Sequence, residues 1–172
     1  MTGDLATSAV AHGWTLFAHP IFVSQLQALV AEVESLRLKD AEGYKSKNAT
    51  KRLAAIRQLA LEVIPQNPQN PIFRQGKTLG SEHSHWYRAK FFQQYRLFFR
   101  FHEQAHIIVY GWVNDPESKR AYGSSSDAYR VFRRMLEAGA PPSDWEALLN
   151  ESSRADLGNA TSESDRGPSA TI

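Results

Sequence analysis

The segment that most constrains the fold is residues 86–101, because its side chains alternate between polar and apolar with a period of two. This is the period of a β-strand, in which successive side chains point to opposite faces of the sheet. Arg88 and Lys90 therefore share one face of a first predicted strand. Arg96 and Arg100 share one face of a second. The segment predicts a β-hairpin with one apolar face and one cationic face.

The register of this hairpin follows from its apolar residues, which must all lie on the same side. With a turn around Gln93, that condition pairs Lys90 with Arg96. It also pairs Arg88 with Phe98, because a slip of one residue would reverse the faces. Like charges opposite one another destabilise a sheet. A cationic cluster kept there indicates a site for phosphate, although outer strands also carry lysine and arginine for solubility and to prevent edge pairing.

Length and composition predict one cysteine-free domain. The chain has 172 residues, of which 42% are hydrophobic, enough for a single core. The absence of cysteine excludes disulfides, thiolate zinc sites and cysteine nucleophiles, and it favours a reducing compartment such as the cytoplasm. The first residues lack a cationic stretch before an apolar run, and no apolar stretch approaches 18 residues, so neither secretion nor a membrane location is expected.

Charge is distributed unevenly along the chain. Residues 71–136 contain 11 lysines and arginines against five aspartates and glutamates, whereas residues 143–172 contain two against six. A basic centre of this kind indicates a polyanionic partner such as nucleic acid.

Periodicity and chain-breaking residues predict the order β-α-α-β-β-β-α. Strands are expected at 13–18, 86–91, 95–101 and 106–112; helices are expected at 21–38, at 46–64 before Pro65, and from an N-cap at Ser126 to Glu137. This order is typical of an α+β domain with a small, mainly antiparallel sheet and helices on one face. Residues 1–12 are expected to be flexible, 13–149 to form the domain, and 150–172 to form a disordered acidic and polar tail.

Several blocks of sequence carry a family resemblance. They include residues 13–20, the Tyr-Arg-Leu-Phe-Phe-Arg strand at 95–100, Gly-Trp-Val-Asn-Asp at 111–115, and residues 73–77, 127–132 and 141–145. Together they resemble the RelE/ParE superfamily of bacterial toxins, and within it the YhaV-type toxins of type II toxin–antitoxin systems. The resemblance implies a RelE-like fold and an endoribonuclease that cleaves mRNA without a metal or cofactor, with an influence of the ribosome on substrate choice.

The resemblance also implies partners and catalytic residues. The expected partner is a PrlF-like antitoxin of the AbrB type, with operator DNA contacted only through the toxin–antitoxin complex. By position, Arg88 and Lys90 match the family's basic strand residues, Arg96 matches the arginine after the strand tyrosine, and Tyr129 matches the last-helix tyrosine. The hairpin turn lacks the family's frequent glycine, and the loop before the last helix is longer.

The chemistry of RNA cleavage assigns tasks to these four residues. Arg96 is suited to clamp the phosphate, and Arg88 to stabilise the transition state. Lys90 is a candidate base or electrostatic stabiliser. Tyr129 could orient the substrate or exchange a proton, or it could simply pack over the sheet. Further substrate contacts are predicted at Lys77, Phe98, Arg100, Lys119, Arg120, Arg130 and Arg133.

Three alternatives stay open from the sequence. His83 and His85, in the loop before the basic strand, could act as acid or base at neutral pH. A non-catalytic module that binds RNA or the ribosome, or that regulates an operator, would need the same basic patch. A gyrase-poisoning toxin could share the scaffold, since a fold does not determine activity.

Overall fold

The computed structural model describes residues 10–117 and 127–155. Within them, the strands are β1 (Val10–Ala11), β2 (Trp14–Ala18), β3 (Tyr87–Phe91), β4 (Tyr95–His102), β5 (Ile107–Val113) and β6 (Ser153–Arg154). The helices are α1 (Pro20–Lys39), α2 (Asn48–Gln58), α3 (Ile64–Gln66), α4 (Ala128–Glu137) and α5 (Trp145–Glu151). Short 3-10 turns occur at Gly43–Ser46, Pro71–Phe73 and Ser81–His83. No helix in the described ranges is long and apolar enough to span a membrane.

The strands form one mixed sheet in the order β1-β2-β5-β4-β3, and β6 also pairs with β2. The pairing of β2 with β5 is parallel, whereas the other pairings between described strands are antiparallel. The α+β class and the mainly antiparallel sheet are therefore confirmed. Because β3 is the outermost strand at one edge, the cationic hairpin lies at the margin of the sheet.

The predicted hairpin register is confirmed residue by residue. Lys90 pairs with Arg96, and Arg88 pairs with Phe98. The turn between the strands places Phe92 and Gln93 in the left-handed region, with φ angles of 46° and 62°. Glycine or asparagine adopts this conformation more easily, so this glycine-free turn stores some backbone strain.

Helices cover both faces of the sheet, so the prediction of helices on one face was wrong. On one side, α1 and α2 form the larger core with buried residues such as Leu26 and Ile56. On the other side, α4 and α5 cover a second core that includes Phe98 and Trp112. The physical reason is that the arginine-bearing face also carries these large apolar side chains, and they must be removed from water.

Most helix boundaries lie within two residues of the predictions, and the differences concern Pro65 and the N-cap of α4. Pro65 does not end the second helix, because a π-helical turn at Leu59–Val63 leads into α3, which contains the proline. The N-cap of α4 is Asp127, whose carboxylate accepts a hydrogen bond from the backbone N–H of Tyr129. Ser126, the predicted N-cap, lies outside the described residues.

Both ends of the folded part extend beyond the predicted boundaries. Strand β1 uses residues assigned to the flexible N-terminus, and β6 uses residues assigned to the tail. Helix α5, which was not predicted, begins at the N-cap Asp144 and buries Leu148. The first nine residues and residues 156–172 lie outside the described part of the chain.

Candidate functional site

Three of the four predicted catalytic residues converge on one hydroxyl group. Arg88 of β3 donates a hydrogen bond from Nε to the Tyr129 hydroxyl at 2.9 Å. Arg96 of β4 donates from Nε to the same oxygen at 3.2 Å. The exposed fractions of Arg88, Arg96 and Tyr129 are 9%, 5% and 6%, so the cluster is nearly enclosed.

The fold positions Tyr129 through its first helical turn and its ring. The Asp127 carboxylate caps α4 by accepting from the Tyr129 N–H at 3.0 Å. The tyrosine ring meets Phe98 edge to face, with centroids 5.7 Å apart, and the Arg96 guanidinium carbon lies 5.9 Å from its centroid. Packing and capping thus hold the phenol against the cationic face.

Neutral acceptors hold both guanidinium groups. Arg88 donates from Nη1 to the Ile72 carbonyl at 2.7 Å. Arg96 donates from Nη1 to the carbonyls of Gln93 and Tyr95, at 2.7 and 2.9 Å. Among the described residues, neither arginine forms a salt bridge with a carboxylate. Their positive charge therefore remains available to an anion.

The two arginines change the acidity of Tyr129. Burial by itself would raise the pKa of the phenol, but the hydrogen bonds and positive charges of Arg88 and Arg96 together lower its pKa below the ordinary value. A phenol with a lowered pKa releases its proton more readily. Tyr129 is consequently equipped to exchange a proton with a substrate.

Lys90 lies on the same face of β3 as Arg88 and opposite Arg96 in the hairpin register. Unlike those arginines it is exposed. It also lies at the rim of a cavity of about 390 Å³ on the outer edge of β3. Lys90 thus adds an exposed cation to the margin of the enclosed cluster.

The structure does not support a substrate contact for Phe98, so that prediction was wrong. Phe98 is fully buried and stacks on Phe132, with centroids 4.3 Å apart. Arg100 donates to the Ser143 carbonyl and lies near the rings of Trp86 and Trp145. Burial lowers the pKa of its guanidinium, although the Asp144 charge opposes this shift. Arg100 therefore supports the packing of α5. The reason is that helices cover the apolar side chains next to it on this face of the sheet.

The other predicted substrate contacts that the structure describes are exposed. Arg130 and Arg133 are exposed on α4, where they line a hollow with Arg134, and Arg133 pairs with Glu137 at 3.0 Å. Lys77 is exposed in the loop before β3. Lys119 and Arg120 lie outside the described residues. These contacts stay predictions.

The histidine alternatives occupy different environments. His83 is buried, and its Nδ1 lies 2.9 Å from the Ser143 hydroxyl, which favours a structural role. His85 is exposed. In the described part of the chain, no group of three or more histidine, aspartate or glutamate side chains is arranged to hold a metal ion.

Sequence reasoning missed Asn114, which braces the site from behind. Its side-chain oxygen accepts from the Arg96 N–H at 2.6 Å, and its amide nitrogen donates to the Gln94 carbonyl at 3.0 Å. Asn114 is fully buried. The available signal was a polar amide directly after the apolar run of β5, in the Gly-Trp-Val-Asn-Asp block.

Replacing Asn114 with alanine should lower the free energy of unfolding by about 2 kcal/mol, because buried partners on β4 and its turn would lose their hydrogen bonds. Urea denaturation measures this change. The matched control is Asn150→Ala on the exposed surface of α5, which should change stability by less than about 0.5 kcal/mol. Equal effects for the two variants would show that Asn114 does not brace the hairpin.

Comparisons with known proteins show the family to which the chain is related. A protein-family model described as a toxin with endonuclease activity, of a toxin–antitoxin system, and called the YhaV toxin family, matches residues 16–153. The ribonuclease toxin YhaV of Escherichia coli K12 is 50% identical over 142 residues, which cover 81% of this chain and 92% of that protein. Toxins YhaV of E. coli O6:H1 and O157:H7 match to the same extent. No solved structure matches significantly.

Proposed function

Because this chain belongs to the YhaV family of toxins, which have endonuclease activity and come from toxin–antitoxin systems, we propose that it is a ribonuclease whose active site is the cluster of Arg88, Arg96 and Tyr129 with Lys90 at its rim. The name of the E. coli K12 relative supports RNA as the substrate. We further infer that cleavage needs no metal ion, because the site supplies its own cations.

One observation carries this proposal. Two nearly buried guanidinium groups meet at a single phenol, and among the described residues no carboxylate neutralises them. Burying unpaired charge is costly, so an arrangement of this kind indicates a functional requirement. The Nη2 atom of each arginine has no hydrogen-bond partner among the described residues and is not sealed from solvent. These two atoms can donate to the oxygens of a phosphate.

The reaction proceeds by attack of the ribose 2′ oxygen on the adjacent phosphorus. The 2′ hydroxyl loses its proton, the new P–O2′ bond forms, and the P–O5′ bond breaks. The departing 5′ oxygen then takes a proton, which leaves a 2′,3′-cyclic phosphate and a 5′ hydroxyl. Arg88 and Arg96 stabilise the charge on the non-bridging oxygens. Tyr129 and Lys90 are the groups that exchange the two protons.

The family also bears on partners and location. Membership in a toxin–antitoxin family implies an antitoxin. On the family resemblance, we propose a RelE-like fold and a PrlF-like antitoxin of the AbrB type, with operator DNA contacted only through the complex. We also propose that the RNA cleaved is mRNA, with an influence of the ribosome on substrate choice. The absence of cysteine supports a reducing compartment such as the cytoplasm.

The deciding experiment incubates purified protein with RNA in the presence of EDTA and maps the products. Cleavage that leaves 2′,3′-cyclic phosphate ends is expected. Intact RNA with salt-sensitive binding would instead favour the non-catalytic module. Intact RNA together with inhibition of gyrase would favour a gyrase-poisoning toxin. Cleavage that occurs only when a metal ion is added back would contradict the metal-independent mechanism.

The variant Arg88→Lys should cleave at least about tenfold more slowly, because an ammonium group keeps the charge but cannot bridge the Tyr129 hydroxyl and the Ile72 carbonyl with one planar fork. Initial rates on a defined RNA measure this loss. Arg37→Lys on α1 is the matched control, since Arg37 pairs with Glu34 outside the cluster. If the two variants cleave at the same rate, the role of Arg88 does not depend on the planar geometry of its guanidinium group.

A further inference from the structure

A cavity of about 390 Å³ lies beside the proposed active site, on the outer edge of the sheet. Its walls come from Leu59 and Val63 of the π-helical turn, from the connector at residues 66–73, and from Ala89 and Lys90 of β3. Ligand pockets of proteins start at about 300 Å³, so the cavity can hold a group such as a nucleobase.

Two residues link the cavity to the cluster of Arg88, Arg96 and Tyr129. Lys90 lines the cavity and faces Arg96 across the hairpin. Ile72 also lines it, and the carbonyl of Ile72 accepts the hydrogen bond from Arg88 Nη1 at 2.7 Å. A strand of RNA with its phosphate on the arginines would therefore bring a neighbouring base to this opening.

The lining offers both an apolar surface and hydrogen-bonding groups. Ile72 and Val63 are 70% and 39% exposed, so both present apolar surface at the opening. The amides of Gln66 and Asn67 have no side-chain hydrogen bond to the described residues, and both line the cavity. Asn70 uses its side-chain oxygen to cap the next turn, accepting from the Ile72 N–H at 3.1 Å.

The local sequence explains why the cavity is open. Pro65 cannot donate the hydrogen bond of a regular helix, and the π-helical turn before it widens the helix at Leu59–Val63. Such turns are frequently found at functional sites. Pro68 and Pro71 then keep residues 67–73 from continuing the helix.

We propose that this cavity is a nucleobase subsite, which holds an unstacked base adjacent to the scissile phosphate and gives the enzyme its sequence preference. A base has a flat apolar face and an edge of donors and acceptors, which match the exposed apolar side chains and the amides. The proposal rests on the ribonuclease function and adds a specificity site to it. Gln66 and Asn67 are the residues that read the edge of the base.

The test uses a short RNA with one mapped cleavage site. The intact RNA is compared with an abasic RNA that lacks one base next to this site, first on the 5′ side and then, in a second abasic RNA, on the 3′ side. The natural chain should cleave the abasic RNA about tenfold more slowly for one of the two positions, the size of effect that one bidentate amide–base contact supports. In the variant Gln66→Ala/Asn67→Ala, the intact RNA should be cleaved nearly as slowly as the abasic one.

The variant Gln58→Ala is the matched control, because Gln58 is an exposed glutamine of the same helical segment that does not line the cavity. It should keep the tenfold ratio. Thermal melting shows whether the double variant is folded, and Val63→Trp, which fills the cavity without removing an amide, should abolish the ratio in the same way.

The outcomes separate the two proposals. If the natural chain cleaves neither RNA, the ribonuclease function and the subsite both fail. The subsite alone is overturned if the natural chain cleaves the intact RNA and both abasic RNAs at equal rates. It is also overturned if the double variant and Val63→Trp keep the full ratio of the intact to the abasic rate. Weakened antitoxin binding by these variants with an unchanged ratio would assign the cavity to a protein partner and would also overturn the subsite.

Discussion

Replacing Tyr129 with phenylalanine should lower the rate of RNA cleavage about 1,000-fold while leaving the protein folded. The phenol is the group on which Arg88 and Arg96 converge, and its lowered pKa equips it for proton exchange. General acid–base catalysis contributes about 10²–10⁴-fold in enzymes. Phenylalanine keeps the ring that packs against Phe98, so the protein should stay folded. Thermal melting should show a moderate loss of stability, because the nearly buried Nε–H groups of Arg88 and Arg96 lose their acceptor. Single-turnover cleavage rates measure the loss.

The matched control for this variant is Tyr44→Phe, since Tyr44 lies in the Gly43–Ser46 turn and packs against the core on the other face of the sheet. A loss of less than about threefold in Tyr129→Phe would exclude the hydroxyl from the chemical step. A loss equal to that of the control would show that the tyrosine only packs over the sheet, which is the alternative that the sequence left open.

The dependence of the rate on pH identifies which proton Tyr129 moves. Its pKa is lowered, so the natural chain should show an ionisation below the ordinary value of 10.0. If the phenolate accepts the 2′ hydroxyl proton, the rate rises as the pH increases through this pKa. If the phenol protonates the 5′ oxygen, the rate falls over the same range. In either case this ionisation should be missing from the pH profile of Tyr129→Phe.

The second large effect concerns Gly111 of β5, where substitution by alanine should reduce the free energy of unfolding by about 2–3 kcal/mol. A Cβ atom at this position would lie 2.6 and 2.7 Å from two ring atoms of Trp86. Trp86 cannot move away freely, because it is fully buried and packs edge to face on Phe132 at 5.0 Å. Since Trp86 immediately precedes β3, a shift of its ring would also disturb Arg88. Chemical denaturation measures the stability change.

Steric compensation provides the control for Gly111→Ala. Combining it with Trp86→Phe should cost less than the sum of the two single substitutions, because the smaller ring leaves room for the new methyl group. Additive losses, or a stability of Gly111→Ala within about 0.5 kcal/mol of the natural chain, would show that the close approach of Gly111 and Trp86 does not determine this packing.

Several predictions held because they depended on short-range rules. The hairpin register followed from side chains that alternate along two neighbouring strands, and α1 followed from apolar residues at three- and four-residue steps after Pro20. Other predictions failed because a long-range contact decided the outcome. Phe98 lies on the arginine face, as expected, but α4 covers it with Phe132. Pro65 is a helix breaker in isolation, yet the chain passes it through a π-helical turn.

By itself, the sequence determined that Arg88, Lys90 and Arg96 share one face of a hairpin, because the backbone of a strand turns each successive side chain to the opposite side. Only the tertiary structure decided that α4 packs on that face and carries Tyr129 to within 2.9 Å of Arg88, 41 residues earlier in the chain. The alternation of a strand is local stereochemistry, whereas the choice of what covers its face depends on the burial of apolar surface summed over distant segments.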